Sequence, residues 1–407
     1  MPDNYMPASD APRLRVSMLV WNTFLNDARV LNEARTLARV GYEVRVHALA
    51  LFAVTPALET LEPGLTVQRC GGGQGRRQQG GGAGRFKGLA LLLLLCARVF
   101  TMLQMGWAVL SARPHLVHAH DVNMLPLAWL VSRITRVPLV YDAHEISTGR
   151  EGYRPYRGMI AWLEKRIMPR AAGTITTTDA RAKFFARAYG IERPLVLQNR
   201  PRQLQPIRSN RLREQLQLHQ TWPVVIYQGG LQPGRGLARL VEVAASVPDA
   251  YFVFVGGGRL TAELKSLTQR LQLTERVRFI HTVPLAELPS FTASADIGVQ
   301  PIENTCLNHY TTDSNKLFEY VQAGLPVVAS DLPEIRRVVQ EQDLGVLVPE
   351  GDSVALAAAL RDLVGDEGKR QYYASRSRKA ARVLNWESQE HELLALYERV
   401  LLNRAST

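Results

Sequence analysis

A lysine and a glutamate stand three residues apart in the stretch SNKLFEYVQAGLPVVAS, which runs from Ser314 to Ser330. The spacing of its apolar residues predicts a short helix that ends at a glycine and is followed by a buried strand. Ser314 is expected to cap the helix, which places Asn315 and Lys316 in its first turn. Backbone N–H groups and the positive end of the helix dipole favour an anion there, and the lysine adds a charge suited to phosphate.

Glu319 lies on the same side of this predicted helix as Lys316. A carboxylate can accept hydrogen bonds from two adjacent hydroxyls, as a ribose presents. Phosphate at the helix start and ribose one turn later is the arrangement of a bound nucleotide. A solvated surface ion pair is the alternative interpretation of these two residues.

A second motif, VVIYQGGLQPGRGLARLVE, predicts a strand, a glycine loop and a helix. The loop glycines are Gly229, Gly230, Gly234 and Gly236. Such a loop lets the backbone approach a diphosphate closely, and Arg235 supplies a forked donor. A nicotinamide-binding motif is the competing interpretation, but it requires an acidic residue at the end of the next strand. Here that strand is followed by Gly256 to Gly258 and no carboxylate, which counts against a dehydrogenase.

Both motifs belong to a repeated strand-and-helix pattern in which short, β-branched apolar runs alternate with amphipathic segments. Buried strands that alternate with helices predict a parallel sheet covered on both faces. The pattern restarts after the polar link NRPRQLQPIRSN. We therefore predict an α/β protein with two Rossmann-like, doubly wound domains whose strand ends face each other across a cleft. The predicted ranges are 13–200, 201–385 and a final helix, 386–407, that crosses back to the first domain.

Composition sets wider limits. The chain has 407 residues, of which 46% are hydrophobic and 21% charged, as in a folded globular protein. Its three scattered cysteines suggest thiols in a reducing compartment, and no signal peptide is predicted, so we expect a cytoplasmic protein. A net charge of +12 is consistent with an anionic partner, although a general arginine bias explains it equally well.

One segment breaks the alternation within the first domain. Residues 71–88 are rich in glycine and arginine, and an apolar stretch with Arg98 as its only charge follows them up to Leu110. This stretch is interpreted as a core helix, as a helix that contacts a membrane surface, or as a membrane span. Together with the basic residues before it, the second interpretation would place the protein peripherally at the inner face of the cell membrane.

Taken in order, these motifs resemble the GT-B glycosyltransferases of the large retaining family 4, the "glycosyl transferases group 1" type. The resemblance covers nearly the whole chain and includes NDARVLNEARTLARVGYEVRV, PHLVHAHD, VPLVYDAHE and NWESQEHELLALY. It implies that Glu319 binds the ribose of a nucleoside diphosphate sugar. A second family glutamate falls on Thr311, and the family's basic pair falls on Gly230 and Arg235, so two expected side chains are absent here.

The resemblance also assigns a catalytic-side histidine to the HAHD run, at His120 with His118 as the second choice. Asn26, Asp27 and Arg29 follow the first strand and are expected to contact the acceptor. A helix cap with a salt bridge is the alternative role for these three residues.

The predicted function is a retaining, hexosyltransferase-type glycosyltransferase that moves a sugar to a glycan or lipid-linked acceptor. The predicted catalytic residues are His120, Arg235 and Lys316, and the predicted donor-binding residues are Gly229, Gly230, Gly236, Ser314, Asn315 and Glu319. No Asp-x-Asp motif is present, so we expect no metal and no cofactor besides the donor. A sugar-nucleotide epimerase of the same architecture and a nicotinamide-dependent oxidoreductase are the alternatives. A nucleic-acid binder would use the charge but not Glu319, and no nucleic-acid partner is expected.

Overall fold

The computed structural model describes residues 13–51, 55–71, 87–205 and 209–405 of the chain. These residues form two compact units. One unit contains the described residues up to Thr177, Arg181–Leu197 and the helix that begins at Glu390. The other contains Thr178–Ala180 and the described part of Gln198–Gln389.

The first unit is built on an eight-stranded sheet in the order β3-β4-β2-β1-β5-β6-β7-β8. Its strands are β1 (Arg15–Leu19), β2 (Glu43–Leu49), β3 (Leu58–Glu62), β4 (Leu65–Cys70), β5 (Leu116–His120), β6 (Leu139–Ala143), β7 (Gly173–Thr176) and β8 (Leu195–Val196). Its helices are α1 (Ala28–Arg39), α2 (Lys87–Ser111), α3 (Asp121–Thr135), α4 (Arg157–Ile167), α5 (Asp179–Tyr189) and, at the end of the chain, α15 (Glu390–Ala405). Part of α5 is contributed by the few residues assigned to the second unit.

The second unit has a six-stranded sheet in the order β11-β10-β9-β12-β13-β14. Its strands are β9 (Val224–Gln228), β10 (Tyr251–Val255), β11 (Val277–Ile280), β12 (Ile297–Gln300), β13 (Val327–Ser330) and β14 (Gly345–Val348). Its helices are α6 (Arg211–Leu216), α7 (Leu237–Ala245), α8 (Thr261–Arg270), α9 (Leu288–Thr292), α10 (Leu307–Tyr310), α11 (Asn315–Gln322), α12 (Pro333–Gln342), α13 (Ser353–Gly365) and α14 (Glu367–Ala380).

The prediction of two doubly wound α/β units is confirmed, with one correction to the first sheet. Every strand pair is parallel except β3 with β4, which is antiparallel. Sequence analysis missed β3, because LETLE is short and mostly exposed at the sheet edge and has no buried apolar run. Gly64, with a φ of +79°, turns the chain between the two strands.

Helix α2 contains the apolar stretch whose role the sequence left open. It packs on α3 on one face of the first sheet, where Met105 and Val109 are buried. Among the described residues, no helix is both long and apolar enough to cross a membrane. The preceding residues 72–86, which include Arg76, Arg77 and Arg85, lie outside the described residues.

Candidate active site

The glycine loop of the second unit connects β9 to α7 and requires glycine at its end. Gly236 immediately precedes α7 with a φ of +68°, and a Cβ built there would lie 2.0 Å from the carbonyl oxygen of Pro301. A side chain would therefore both strain the backbone and collide with a neighbouring loop. These contacts fix the backbone conformation of the loop at its end. The loop lies at the carboxyl end of β9, and open α/β sheets bind ligands at this edge.

The two sequence motifs meet at Gly229 and Lys316. A Cβ built on Gly229 would lie 3.6 Å from Cε of Lys316 and 3.7 Å from its Nζ. The lysine ammonium of α11 therefore lies over the start of the glycine loop. This contact places a basic side chain next to Gly229, where the loop backbone has no side chain of its own.

Ser314 occupies the position before α11, as predicted, but its side chain does not cap the helix. Its hydroxyl makes no cap hydrogen bond and instead accepts one from Nζ of Lys316 at 3.1 Å. The backbone of Ser314 has φ 58° and ψ 134°, a strained conformation for a residue with a side chain. Without a side-chain cap, the first turn of α11 keeps backbone donors for another acceptor.

Lys316 is a buried cation. Its side chain is 7% exposed, and its ammonium lies 5.1 Å from the centre of the Tyr227 ring. Burial, with the nearby charge of Arg235, lowers the pKa of Lys316 to about 7. A bound anion would reverse this loss, because it would favour the charged form of the lysine.

Glu319 is oriented by a residue that sequence analysis missed. Nε2 of Gln228, the last residue of β9, donates a hydrogen bond to Glu319, and Oε1 of Gln228 accepts one from Thr292 at 2.7 Å. Burial raises the pKa of Glu319. The strand-end position of Gln228, directly before the loop glycines, was the signal that could have identified it.

The remaining predicted residues of the second unit lie in the glycine loop and at the start of α11. Asn315 is exposed and Arg235 is half-buried, while a Cβ on Gly230 would meet only the side chain of Gln232, at 3.4 Å. Thr311, which stands where the resemblance expects a glutamate, is buried and donates its hydroxyl hydrogen bond to the carbonyl of Leu307. The roles predicted for Asn315, Arg235 and Gly230 stay predictions.

In the first unit, three histidines cluster at the carboxyl ends of β5 and β6. His118 and His120 stack with ring centres 4.2 Å apart, and the ring of His144 lies 5.4 Å from that of His120. His118 is fully buried, and its Nδ1 lies 2.8 Å from the hydroxyl of Tyr397 on α15. His120 is also buried, and no described residue forms a hydrogen bond with its Nε2.

Asp142 connects this cluster. Its carboxylate accepts hydrogen bonds from Nε of Arg29 at 2.6 Å, Nη2 of Arg29 at 2.8 Å and Nε2 of His144 at 2.9 Å. Nδ1 of His120 lies 3.3 Å from the same carboxylate. Sequence analysis missed Asp142 and His144, although both stand in the quoted VPLVYDAHE run at the end of β6.

The charges of the cluster follow from this geometry. Burial alone would raise the pKa of Asp142, but Arg29 and His144 hold that pKa well below its usual range. Burial would lower the pKa of His144, but Asp142 and Asp121 raise it to about 9. Burial and the neighbouring Asp142 charge raise the pKa of Glu33 well above its usual range.

The donor set of Glu33, His118, His120 and Asp142 is close enough to surround a metal ion. The guanidinium of Arg29 already supplies a cation there, with its Nε 2.6 Å from Asp142 and 3.4 Å from Glu33. A divalent ion would face this charge at contact distance. We therefore interpret the group as a buried cluster of charged and polar side chains around Arg29, and the metal independence of the chemistry stays a prediction.

The predicted acceptor residues lie at the start of α1. Asn26 is exposed, and Asp27 caps the helix by accepting from the backbone N–H of Val30. Arg29 is buried in its ion pair with Asp142 and also donates to the carbonyl of Leu197. The alternative roles of cap and salt bridge describe these contacts, and acceptor binding by the three residues stays a prediction.

Comparison with known proteins adds two family models. Residues 209–380 match the family described as "Glycosyl transferases group 1", and residues 27–200 match the "Glycosyl transferase 4-like domain". The first match spans the glycine loop and α11, and the second spans the histidine cluster.

Similar whole proteins point the same way. A D-inositol 3-phosphate glycosyltransferase of Xylanimonas cellulosilytica is 26% identical over 92% of this chain and 91% of its own length. A phosphatidyl-myo-inositol mannosyltransferase of Mycobacterium leprae is 28% identical over 70% of this chain and 73% of its own. Among solved structures, sucrose-phosphate synthase from Thermosynechococcus elongatus matches with a TM-score of 0.74 and 20% identity over 96% of this chain and all of its own.

Anabaena HepE in complex with UDP-glucose matches with a TM-score of 0.68 and 19% identity, over 97% of this chain and all of its own. The structural matches establish the fold, and the two family models together cover most of the sequence. The epimerase and oxidoreductase alternatives receive no support. The chain belongs to the GT-B glycosyltransferases of the group 1 type.

Proposed function

We propose that this glycosyltransferase uses a nucleoside diphosphate sugar as donor and binds it in the second unit. The observation that carries the proposal is the buried ammonium of Lys316 over Gly229, at the start of α11 and one turn from Glu319. A buried lysine with its pKa lowered to about 7 is costly to keep unless it serves an anion. The structural neighbour HepE, which was solved with UDP-glucose, supports this donor class.

In the proposed complex, the diphosphate contacts Lys316, Arg235 and the first-turn N–H groups of α11. Glu319, held by Gln228, accepts hydrogen bonds from the ribose hydroxyls. The loop glycines allow the backbone to approach the phosphates. These cations and dipoles would neutralise the charge that develops on the leaving diphosphate, which is the main way such a site lowers the barrier.

The proposed reaction breaks the bond between the anomeric carbon and the diphosphate and forms one to an acceptor hydroxyl on the same face of the sugar. The hydroxyl proton passes to the departing phosphate oxygen, so no metal and no enzyme nucleophile is required. His120, whose Nε2 has no hydrogen-bond partner among the described residues, is the proposed catalytic-side residue of the first unit. The acceptor is a glycan or a lipid-linked molecule, a class suggested by the mannosyltransferase relative's phosphatidylinositol substrate.

A screen of nucleotide sugars tests the donor class directly. Each is incubated with the full chain, and release of the nucleoside diphosphate is measured with and without excess chelator. Slow hydrolysis of one donor, unchanged by the chelator and abolished in Lys316→Ala, is the expected result. Failure of every nucleoside diphosphate sugar to bind or to shift the thermal midpoint would overturn the proposal.

A further inference from the structure

Helix α2 presents an apolar surface outward. Its exposed apolar side chains include Trp107, which is 74% exposed, and Leu103, which is 67% exposed. The opposite side of the helix packs on the core of the first unit, where Met105 and Val109 are buried. Single exposed apolar residues need no explanation, but a row of them along one helix does.

The only charged side chain of the apolar stretch points the other way. The guanidinium of Arg98 stacks on the Trp21 ring at 4.9 Å from its centre and donates to Oδ1 of Asn123 at 3.0 Å. The usual arrangement of a surface helix, with charge outward and apolar residues inward, is thus reversed for this residue. The exposed side of α2 is left without a charge among its described side chains.

The apolar surface continues over the two neighbouring helices. Helix α2 packs on α3, where Gly106 lies close to Leu127, and α3 packs on α4. Together they form a surface that we name the α2–α4 face. Its exposed apolar residues are Leu93, Leu95, Val99, Phe100, Leu103, Trp107, Leu130, Ile134, Met159 and Trp162.

Exposed charges on the α2–α4 face are positive. They are Arg133, Arg157, Lys165 and Arg166, with Arg136 directly after α3. The carboxylates in the described parts of the three helices are Glu164, which is buried, and Asp121, which is half-buried. Arg166 lies 5.6 Å from the ring centre of Trp162, so a basic and an aromatic side chain are presented side by side.

The combination of exposed apolar and basic side chains on the α2–α4 face favours one kind of partner. A second copy of the same face would bring like charges together, and a nucleic acid would leave the apolar residues uncovered. An anionic lipid surface satisfies both features, because the apolar side chains enter the acyl boundary while tryptophan and the basic residues lie among the headgroups. We infer that the α2–α4 face docks this protein peripherally on an anionic lipid bilayer.

Docking of this kind does not depend on the proposed donor chemistry. It would bring the enzyme to the surface where a lipid-linked acceptor resides. Two signals act together, as stable attachment requires: apolar insertion and attraction to anionic headgroups.

Flotation of the full chain with vesicles tests the inference. The vesicles contain phosphatidylcholine alone or with about 30% phosphatidylglycerol, the anionic component that basic residues recognise. We expect recovery with the anionic vesicles, a loss of about tenfold or more in partitioning for the double variant Leu103→Gln/Trp107→Ser, and a similar loss for Lys165→Glu/Arg166→Glu. Val354→Gln and Arg361→Glu, at exposed positions of α13 in the second unit, are the matched controls and should float like the parent chain.

A second readout leaves the exposed apolar side chains of α2 unchanged. Cys96 is exposed on α2, so an environment-sensitive dye can be attached there after Cys70 and Cys306 are changed to serine. Its emission should shift to the blue with anionic vesicles. Equal recovery with both vesicle types and no shift of the dye would overturn the inference. So would a dimer that the double variant of α2 dissociates, with no vesicle binding, because the face would then join two copies.

Discussion

Arg29 and Asp142 form a two-point ion pair in the interior of the first unit, with Nε to Oδ2 at 2.6 Å and Nη2 to Oδ1 at 2.8 Å. Both side chains are buried, and they come from the start of α1 and the end of β6. Removing one charge would leave the other without its two-point partner in a low-dielectric interior. The pair therefore holds the histidine cluster and the start of α1 in a fixed relation.

Asp142→Asn should consequently destabilise the first unit by about 3–5 kcal/mol, as expected when one partner of a buried pair is removed. Urea unfolding followed by circular dichroism measures the change. Asp362→Asn is the matched control: its partner Lys369 is exposed, so this substitution should change the free energy of unfolding little. An equal effect of the two substitutions would contradict the role assigned to the buried pair.

The pKa of His144 gives the first unit a specific pH dependence. Its value of about 9 lies above the ordinary 6.5, so the folded state binds the proton more tightly than the unfolded state. The stabilisation is complete below pH 6.5 and is lost as the pH rises through 9. NMR titration of the His144 ring should show this value in the parent chain and a lower one in Asp121→Asn, since Asp121 is one of its two acidic neighbours.

Lys316 should impose the opposite dependence on the second unit. Its folded pKa of about 7 lies below the ordinary 10.5, so burying the charged lysine costs stability at pH values below 7 and costs none above 10.5. Lys316→Met should therefore raise the free energy of unfolding near pH 6 while weakening donor binding and lowering turnover, a trade of stability for function. Lys369→Met, at an exposed lysine, is the control and should not raise it.

Donor affinity should fall as the pH rises above 7, because the diphosphate binds the charged form of Lys316. Calorimetry in two buffers of different ionisation enthalpy should show proton uptake when the nucleotide sugar binds near neutral pH. Lys316→Met should abolish that uptake. Uptake of equal size in the variant would assign the proton to another group.

Sequence reasoning reached the elements and the donor motifs because both are local patterns. Apolar runs predicted thirteen of the strands that the structure shows, and SNKLFEYVQAG placed Lys316 and Glu319 on α11. It did not reach Asp142 or Gln228, whose partners are distant in the chain: 113 residues separate Asp142 from Arg29, and 91 separate Gln228 from Glu319. The orientation of α2 was equally out of reach, because packing on α3 decides which side of a uniformly apolar helix is exposed.

Glu319→Ala should weaken nucleotide-sugar binding, since two charge-assisted hydrogen bonds to the ribose, at roughly 1.5–3 kcal/mol each, would be lost. Gln228→Leu should produce part of this loss, because the carboxylate would no longer be oriented. A 2′-deoxyribose donor provides the independent check. It should bind the parent chain less tightly than the ribose donor, and Glu319→Ala should bind both alike. Unchanged nucleotide affinity in Glu319→Ala would remove this residue from the site.

The proposed mechanism predicts different effects for the cations and for His120. Arg235→Ala and Lys316→Ala should lower turnover more than they weaken donor binding, because their charges act most on the departing diphosphate. The loss of one such donor typically costs about 2.7–4 kcal/mol of transition-state stabilisation. His120→Ala should impair transfer but leave nucleotide affinity near that of the parent chain, because His120 lies in the first unit and the donor residues in the second.

Product NMR should show the anomeric configuration of the donor, because the acceptor attacks on the face that the diphosphate leaves. An inverted product would contradict the retaining mechanism and would require a general base, for which His120 and His144 are then the residues to substitute.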